Sequence, residues 1–235
     1  MAVSRTNAET RLELTPWAER YGLTAGITTA AGGYSVGPGL PAAWAAFQRS
    51  FLPQFPATVV GRQVHGATAR WHDAVPSGGV IVDATDGHAT AQPGVLLTVS
   101  VADCTPVYLT DPARGTIGLL HAGWRGTAAR ILAAGVAVLV EHGSSVSDIV
   151  MHCGVAICGT CYEVGSEVAE ALGEPPVSGK THVDIRAVLA AQAAALGIEQ
   201  VSVSPFCTAH DAGFHSHRGS GGRAGRMIAY LGRAP

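Results

Sequence analysis

The sequence predicts an α+β fold built on mixed β-sheet. Between residues 58 and 121 the chain passes through TVVGRQVHG, VIVDA, GVLLTVSVADCTPVYLT and GTIGLLHAG, β-rich runs punctuated by Gly, Pro and Asp. Beyond them, strand-like and helix-like stretches do not alternate regularly, as the units of a doubly wound parallel sheet would require. The helical stretches in the middle of the chain are rich in small apolar residues, which suits helices lying closely on a sheet face.

Taken in order, residues 1–21 read as a polar lead-in, and GLTAGITTAAGGYSVG (22–37) offers strand and turn with little core, as a substrate-facing loop or hairpin. Trp44, Phe47 and Phe51 recur at three- and four-residue spacing in AAWAAFQRSFL, which predicts an amphipathic helix over 42–52. After the β-rich region, TAARILAAGVAVLVEHG (127–143) predicts one helix stopped by Gly143. DIVMHCGVAI then reads as strand and YEVGSEVAEALG as helix. Asp184 caps DIRAVLAAQAAALG, which ends near Gly197. EQVSVSPFCT and RMIAYLG complete the strands. No fixed-period repeat breaks the chain, so residues 22–235 are expected to form a single domain.

Composition narrows the function. The chain has 235 residues, enough for a sizeable core without cross-links. A net charge of −2 without any run of Lys or Arg lacks the footprint of a protein that binds nucleic acid or an anionic membrane. The longest apolar stretch, Ile131 to Val140, is too short to span a bilayer, and MAVSRTNAETRLEL has no apolar core of a secretory signal, so a cytoplasmic location is expected. Five cysteines at irregular spacing do not suggest a disulfide framework. Reduced thiols are then available as ligands, nucleophiles or packing groups.

His65, Cys104 and His121 each lie at or just past the end of a predicted strand, and three strand ends of one sheet can converge. Two imidazoles and a thiolate suit Zn²⁺ and leave the fourth tetrahedral position open for water or substrate. Copper accepts the same donors. Alternatively, Cys104 is a small buried hydrophobe and each histidine a hydrogen-bonded core residue.

The local sequences QVHG (63–66), ADC (102–104) and HAGWRGT (121–127) resemble the three signature motifs of the laccase-domain family, long labelled multicopper polyphenol oxidases. CYEVG (161–165), CT (207–208) and Phe214, Ser216, Arg218, Gly225 and Arg226 extend the resemblance in order over nearly the whole chain from Gly22. It implies an α/β/β/α sandwich of packed mixed sheets with helices outside, and a metal held by His65, Cys104 and His121. It further implies a zinc-dependent purine nucleoside phosphorylase acting on adenosine, inosine, guanosine and methylthioadenosine, with adenosine deaminase activity. The implied partners are purine nucleosides and phosphate.

Asp103, beside Cys104, could be a general base, an acceptor for a ligand histidine N–H, or a strand-end hydrogen-bonding residue. Gln63 shares a strand face with His65 if the strand is regular, and could bond substrate or the ligands. Arg125, where a helix begins, is the leading phosphate candidate, with a salt bridge and packing on Trp124 as the structural alternative. Arg218 and Arg226 rank second. Cys158 and Cys161 form a C-x-x-C without a second such pair, so these thiols read as incidental. His210, His215 and His217 around Cys207 make a weaker metal reading.

The sequence also departs from the family pattern. The family commonly shows H-G-F-S-T-R-x-G-G-x-S near its start, whereas Ala25–Ser35 lacks that His and Arg. Val155, Cys158 and Gly159 replace the expected Pro, Gly and Pro. These changes touch nucleoside and phosphate contacts but leave the three metal donors intact. Two other functions compete: a copper-dependent polyphenol oxidase, and a non-catalytic metal-binding interaction module.

Overall fold

Alternation of apolar side chains along the strands decides how this chain is layered. The computed structural model describes residues 10–32 and 40–235. Strand β1 (Arg11–Glu13), helix α1 (Thr15–Tyr21), β2 (Leu23–Thr28) and α2 (Leu40–Arg49) come first. A β-rich region follows: β3 (Ala57–Arg62), β4 (Ala69–Trp71), β5 (Val80–Asp83), β6 (Gly87–Thr90), β7 (Val95–Val101), β8 (Thr105–Asp111) and β9 (Thr116–Ala122). The remainder comprises α3 (Trp124–Ala128), α4 (Ile131–Glu141), β10 (Val150–Cys153), β11 (Glu163–Gly165), α5 (Ser166–Ala171), β12 (Lys180–His182), α6 (Ile185–Leu196), β13 (Gln200–Val203) and β14 (Met227–Arg233).

One six-stranded sheet has the order β1-β2-β14-β7-β3-β5 and another the order β13-β10-β8-β9-β6-β4. Both are mixed. The β3 strand runs parallel to β5 and β7, while β14 is antiparallel to β2 and β7. In the second sheet β10–β13 and β4–β6 are parallel and the other pairs antiparallel.

A strand presents successive side chains to opposite faces, so each sheet feeds two apolar layers. Val95, Leu97, Val99 and Val101 of β7, with Ala229 and Leu231 of β14, meet Tyr108, Ile117 and Leu119 of the second sheet in the central core. Leu96, Ile228 and Tyr230 point the other way, onto Phe47 and Phe51 of α2. Leu109, Leu120 and Met151 of the second sheet pack outward against Ile131, Val136 and Leu139 of α4 and Leu189 of α6. The result is helix, sheet, sheet, helix. Each such buried side chain contributes about 1.5–3 kcal/mol, which makes the sandwich a stiff frame for residues at its open end.

Several sequence expectations are corrected. Residues 10–21 are not a loose lead-in: Leu12 and Trp17 are buried, and β1 pairs with β2 in register. Pro16 stands at the start of α1, where its missing N–H costs nothing, and Gly22 ends the helix at φ 66. The stretch 23–28 is an inner strand with Leu23, Ala25 and Ile27 in the core, held between β1 and β14. Gly33, Tyr34 and Ser35 of the variant N-terminal segment lie outside the described residues. The expected helix over 127–143 is two helices, because Arg130 takes the left-handed conformation (φ 65) between α3 and α4. Beyond the strands expected, β4 and β6 extend the second sheet. Among the described residues, no helix is long and apolar enough to cross a membrane.

Phe47 is fully buried between α2 and the first sheet, its ring 5.9 Å from that of Tyr230. Phe47→Ala is therefore expected to destabilise the chain by about 3–5 kcal/mol, read as a lowered urea midpoint at unchanged slope.

Candidate metal centre

Regular pairing of β3 ends at Arg62, and a side chain takes over from there. Gln63 donates through Nε2 to the Ser100 carbonyl at 2.9 Å and accepts the Ser100 N–H through Oε1 at 2.7 Å. The amide stands in for a backbone partner of β7 and lets the main chain turn away. His65 adopts φ 59, and the N–H groups of Val64, His65 and Gly66 converge on the Asp86 carboxylate at 3.1, 3.0 and 3.0 Å. Consecutive N–H groups around a turn form an anion-binding concavity, here filled by a side chain of the same protein. Gln63 and His65 are thus not same-face neighbours on a strand.

Asp86 also fixes the second imidazole. His121 donates through Nδ1 to Asp86 Oδ1 at 2.9 Å, and its backbone N–H donates to the Asp86 carbonyl at 2.7 Å. With Nδ1 engaged, Nε2 is left as the metal-binding nitrogen. Cys104 arrives from a third direction, in the short Ala102–Cys104 link where the chain leaves β7 in the first sheet and enters β8 in the second. The ligand atoms of His65, Cys104 and His121 lie within 4.8 Å of one another, and the two imidazole rings stand 4.8 Å apart at 80°. The three donors come together as expected, but across both sheets instead of along the ends of one.

The charges of Cys104, His121 and Asp86 are coupled. Burial alone would push the Cys104 thiol up, but hydrogen bonds from His121 and His65 bring it down to about 6. Burial would likewise lower His121, yet Asp86 and the Cys104 sulfur raise it to about 9. Asp86 itself is held below the usual carboxylate range, its burial outweighed by the His121 bond and the N–H groups of Val64 and Gly66. The thiol is held down and the His121 ring is held up by the same contact, so ligation displaces the Nε2 proton of His121; with no fourth donor among the described residues, the three make a set that fits a divalent metal with one open position.

Glycine makes the approach possible. A Cβ at Gly123 would lie 2.9 Å from Cys104 Sγ and 3.3 Å from His65 Cδ2, and one at Gly126 would lie 2.8 Å from the Gly66 carbonyl. Gly123 has φ −80, so close packing and not a left-handed backbone demands glycine there.

The centre opens into a cleft of about 1170 Å³ whose wall includes Gln63, Asp103, Trp124, Arg125, Tyr162 and Arg218. The Arg125 guanidinium lies 4.3 Å over the Trp124 ring, and the ion pairs of the described residues do not include it. The helix it belongs to, α3, is only five residues long, so charge and exposure, not a helix end, qualify it for anion binding. Arg218 lies 5.1 Å over the Tyr162 ring and donates to the Glu163 carbonyl at 2.6 Å. Arg226 also reaches the cleft, with its guanidinium tied to the carbonyls of Ala224 and Gly225.

Asp103, at φ 80, uses both carboxylate oxygens on the 204–218 loop: Thr208 Oγ1 donates at 2.5 Å and the Arg218 N–H at 2.6 Å. The acceptor for the ligand histidine is therefore Asp86, which sequence reasoning missed. Of the histidines grouped around Cys207, His217 lines the cleft, whereas His210 lies with Cys158 and Cys161 in a separate cluster.

The model of a family described as multi-copper polyphenol oxidoreductase laccase matches residues 43–234. A protein of Streptomyces griseus named purine nucleoside phosphorylase is 39% identical over 184 residues, covering 75% of this chain and 74% of its own length. A protein from an unknown prokaryotic organism named adenosine deaminase is 34% identical over 166 residues, covering 65% of this chain and 63% of its own. The crystal structure of YlmD from Geobacillus stearothermophilus superimposes with a TM-score of 0.86 at 30% identity, covering 100% of both chains.

Three outcomes follow from this geometry. Asp86→Asn should weaken Zn²⁺ binding about 10- to 100-fold in a competitive chelator titration, by losing the charge that orients His121. In metal-free protein, alkylation of Cys104 by iodoacetamide, followed by peptide mass spectrometry, should rise with pH around a midpoint of about 6. His121→Ala should move that midpoint upward, toward the ordinary thiol value of about 8.5.

Proposed function

Given that the chain belongs to the multi-copper polyphenol oxidoreductase laccase family, we propose that it is a zinc-dependent purine nucleoside phosphorylase with adenosine deaminase activity. Adenosine, inosine, guanosine and methylthioadenosine are its substrates, and residues 22–235, together with the packed β1 and α1, act as one catalytic domain. The observation that carries this reading is a two-histidine, one-cysteine centre set in a cleft with ample room for a nucleoside, and on its wall a guanidinium, that of Arg125, outside the ion pairs of the described residues. The relatives named purine nucleoside phosphorylase and adenosine deaminase support the same choice.

His65, Cys104 and His121 would hold the metal, which when bound supplies a Lewis acid with an open coordination position. The chain's own residues do the rest. Asp86 keeps His121 in one tautomer and pins the backbone that carries His65. Gln63, spent on Ser100, positions that loop and does not transfer a proton. Arg125 supplies paired donors and a fixed positive charge for phosphate as it is brought to C1′ of the nucleoside. Arg218, over Tyr162 and tied to Asp103, shapes the far wall against the substrate. Asp103 secures this wall through its bonds to Thr208 and the Arg218 N–H, and would act as base through a remaining lone pair at the cleft surface beside Cys104.

A copper oxidase of phenols would use the same three donors for one copper but needs further copper centres for oxygen reduction. Among the described residues, the other cluster of metal-binding type contains three cysteines and one histidine, unlike a histidine-rich copper cluster. The metal-binding module reading predicts no turnover at all.

Zinc-loaded protein should release hypoxanthine from inosine only when phosphate is present, and convert adenosine to inosine without it, both followed by chromatography. Failure with every nucleoside would sink the proposal in favour of the binding module, and oxygen-dependent oxidation of phenols by copper-loaded protein would favour the oxidase. Arg125→Ala should raise the KM for phosphate about 10- to 100-fold, the worth of a charge-assisted contact, and leave deamination within twofold.

A further inference from the structure

Cys158, Cys161, Cys207 and His210 lie together, and none of them lines the cleft. We propose that these four residues form a second, structural Zn²⁺ site of Cys₃His type. Their ligand atoms all fall within 4.8 Å of one another. The Cys161 Sγ to His210 Nδ1 distance is 3.4 Å and the Cys158 Sγ to His210 Nδ1 distance is 3.9 Å. Zn–S bonds of about 2.3 Å and Zn–N bonds of about 2.0–2.1 Å at tetrahedral angles place sulfur and nitrogen roughly 3.5 Å apart, between the two observed values.

The sequence supplies the pattern that such sites use. Cys158-Gly-Thr-Cys161, between β10 and β11, is a C-x-x-C, and Cys207-Thr-Ala-His210, between β13 and β14, is a C-x-x-H that completes it. The first pair is therefore not isolated, and its thiols are not incidental. Each half is a tight turn. The N–H groups of Cys161 and Tyr162 both donate to the Cys158 carbonyl at 3.0 Å, which brings the two thiols to one side. Across the cluster, Asp211 donates its N–H to the Cys207 carbonyl at 3.0 Å and accepts the Cys207 N–H through Oδ2 at 2.6 Å. The Cys158 N–H points at Cys207 Sγ at 3.2 Å, the kind of donor that stabilises a ligating thiolate. Four protein donors close the tetrahedron and leave no position for substrate, which makes the site structural and not catalytic.

What such an ion would hold is visible in the same loops. Ile157 and Tyr162, on either side of the C-x-x-C, line the cleft, while Thr208 in the C-x-x-H binds Asp103 next to Cys104. Thr208 also donates its N–H to the Ala156 carbonyl at 3.1 Å, joining the two halves below the cluster. A metal there locks one wall of the cleft to the turn that carries Cys104. The inference rests on these loops alone and does not depend on which reaction the cleft performs.

The test is metal content and cobalt spectroscopy on the full chain, expressed with zinc and purified under reducing conditions. Wild-type protein should carry two Zn²⁺ per chain by mass spectrometry of the metal, and Cys104→Ala and Cys161→Ser one each. Cobalt in Cys104→Ala should give a sulfur-to-metal charge-transfer band several times stronger than in Cys161→Ser, because three thiolates ligate instead of one. His210→Cys in the Cys104→Ala background should keep one metal and strengthen that band, which preserves the test if Cys161→Ser does not fold. One zinc in the wild type that is lost entirely in Cys104→Ala would overturn the proposal. So would a Cys158–Cys161 disulfide in the zinc-replete chain, or two zinc ions retained by Cys161→Ser.

Discussion

The carboxylate of Asp86 has no solvent exposure, yet three consecutive backbone N–H groups and one imidazole bond to it, and the positions of His65 and His121 follow from those bonds. A bare carboxylate buried this deeply would take up a proton; surrounded by donors, it remains charged and becomes a fixed point. Its reach extends beyond the ligands. Asp86 immediately precedes β6 of the second sheet, while the N–H groups it gathers belong to the segment leaving β3 in the first. One ionised group thus registers the two sheets against each other where the three candidate ligands converge, and breaking such a buried pair typically costs about 3–5 kcal/mol.

The three apolar layers explain why this end of the sandwich can carry so many unusual conformations. His65, Ala84, Asp103 and Arg130 all have positive φ without being glycine. Such residues persist only where the surroundings overdetermine them. Here the frame is β7, β8, β9 and β14, each strand contributing side chains to two cores at once. His65, Ala84 and Asp103 lie in the connections that hold Asp86, Cys104 and the cleft wall, so irregular backbone is concentrated where the chemistry is placed.

Much of this was legible in the sequence, for identifiable reasons. The strands over 95–101, 105–111 and 227–233 stood out as nearly continuous β-rich runs because both their faces are buried, and Trp44, Phe47 and Phe51 marked α2 by spacing. His65, Cys104 and His121 stood out through their local motifs. Asp86 did not, since an aspartate in VDATDGH looks like any turn residue until the fold brings 64–66 onto it. The burial of β2 was hidden by its Gly and Thr content and α1 by its polar neighbours, and both were recruited by tertiary packing. The break at Arg130 carries neither Gly nor Pro. The C-x-x-C was visible, but its C-x-x-H partner lies so far along the chain that only the folded structure pairs them.

The passage from β7 to β8 has a mechanical meaning. Only Ala102, Asp103 and Cys104 separate a strand of one sheet from a strand of the other, with Asp103 clamped from the side by Thr208 and Arg218. A link this short has no slack, so sliding of the two sheets past each other would drag the sulfur away from its imidazole partners. An ion held by all three donors acts as a rivet through the sandwich, resisting shear between its layers. Occupancy of the centre and stiffness of the whole molecule are then two readings of the same displacement.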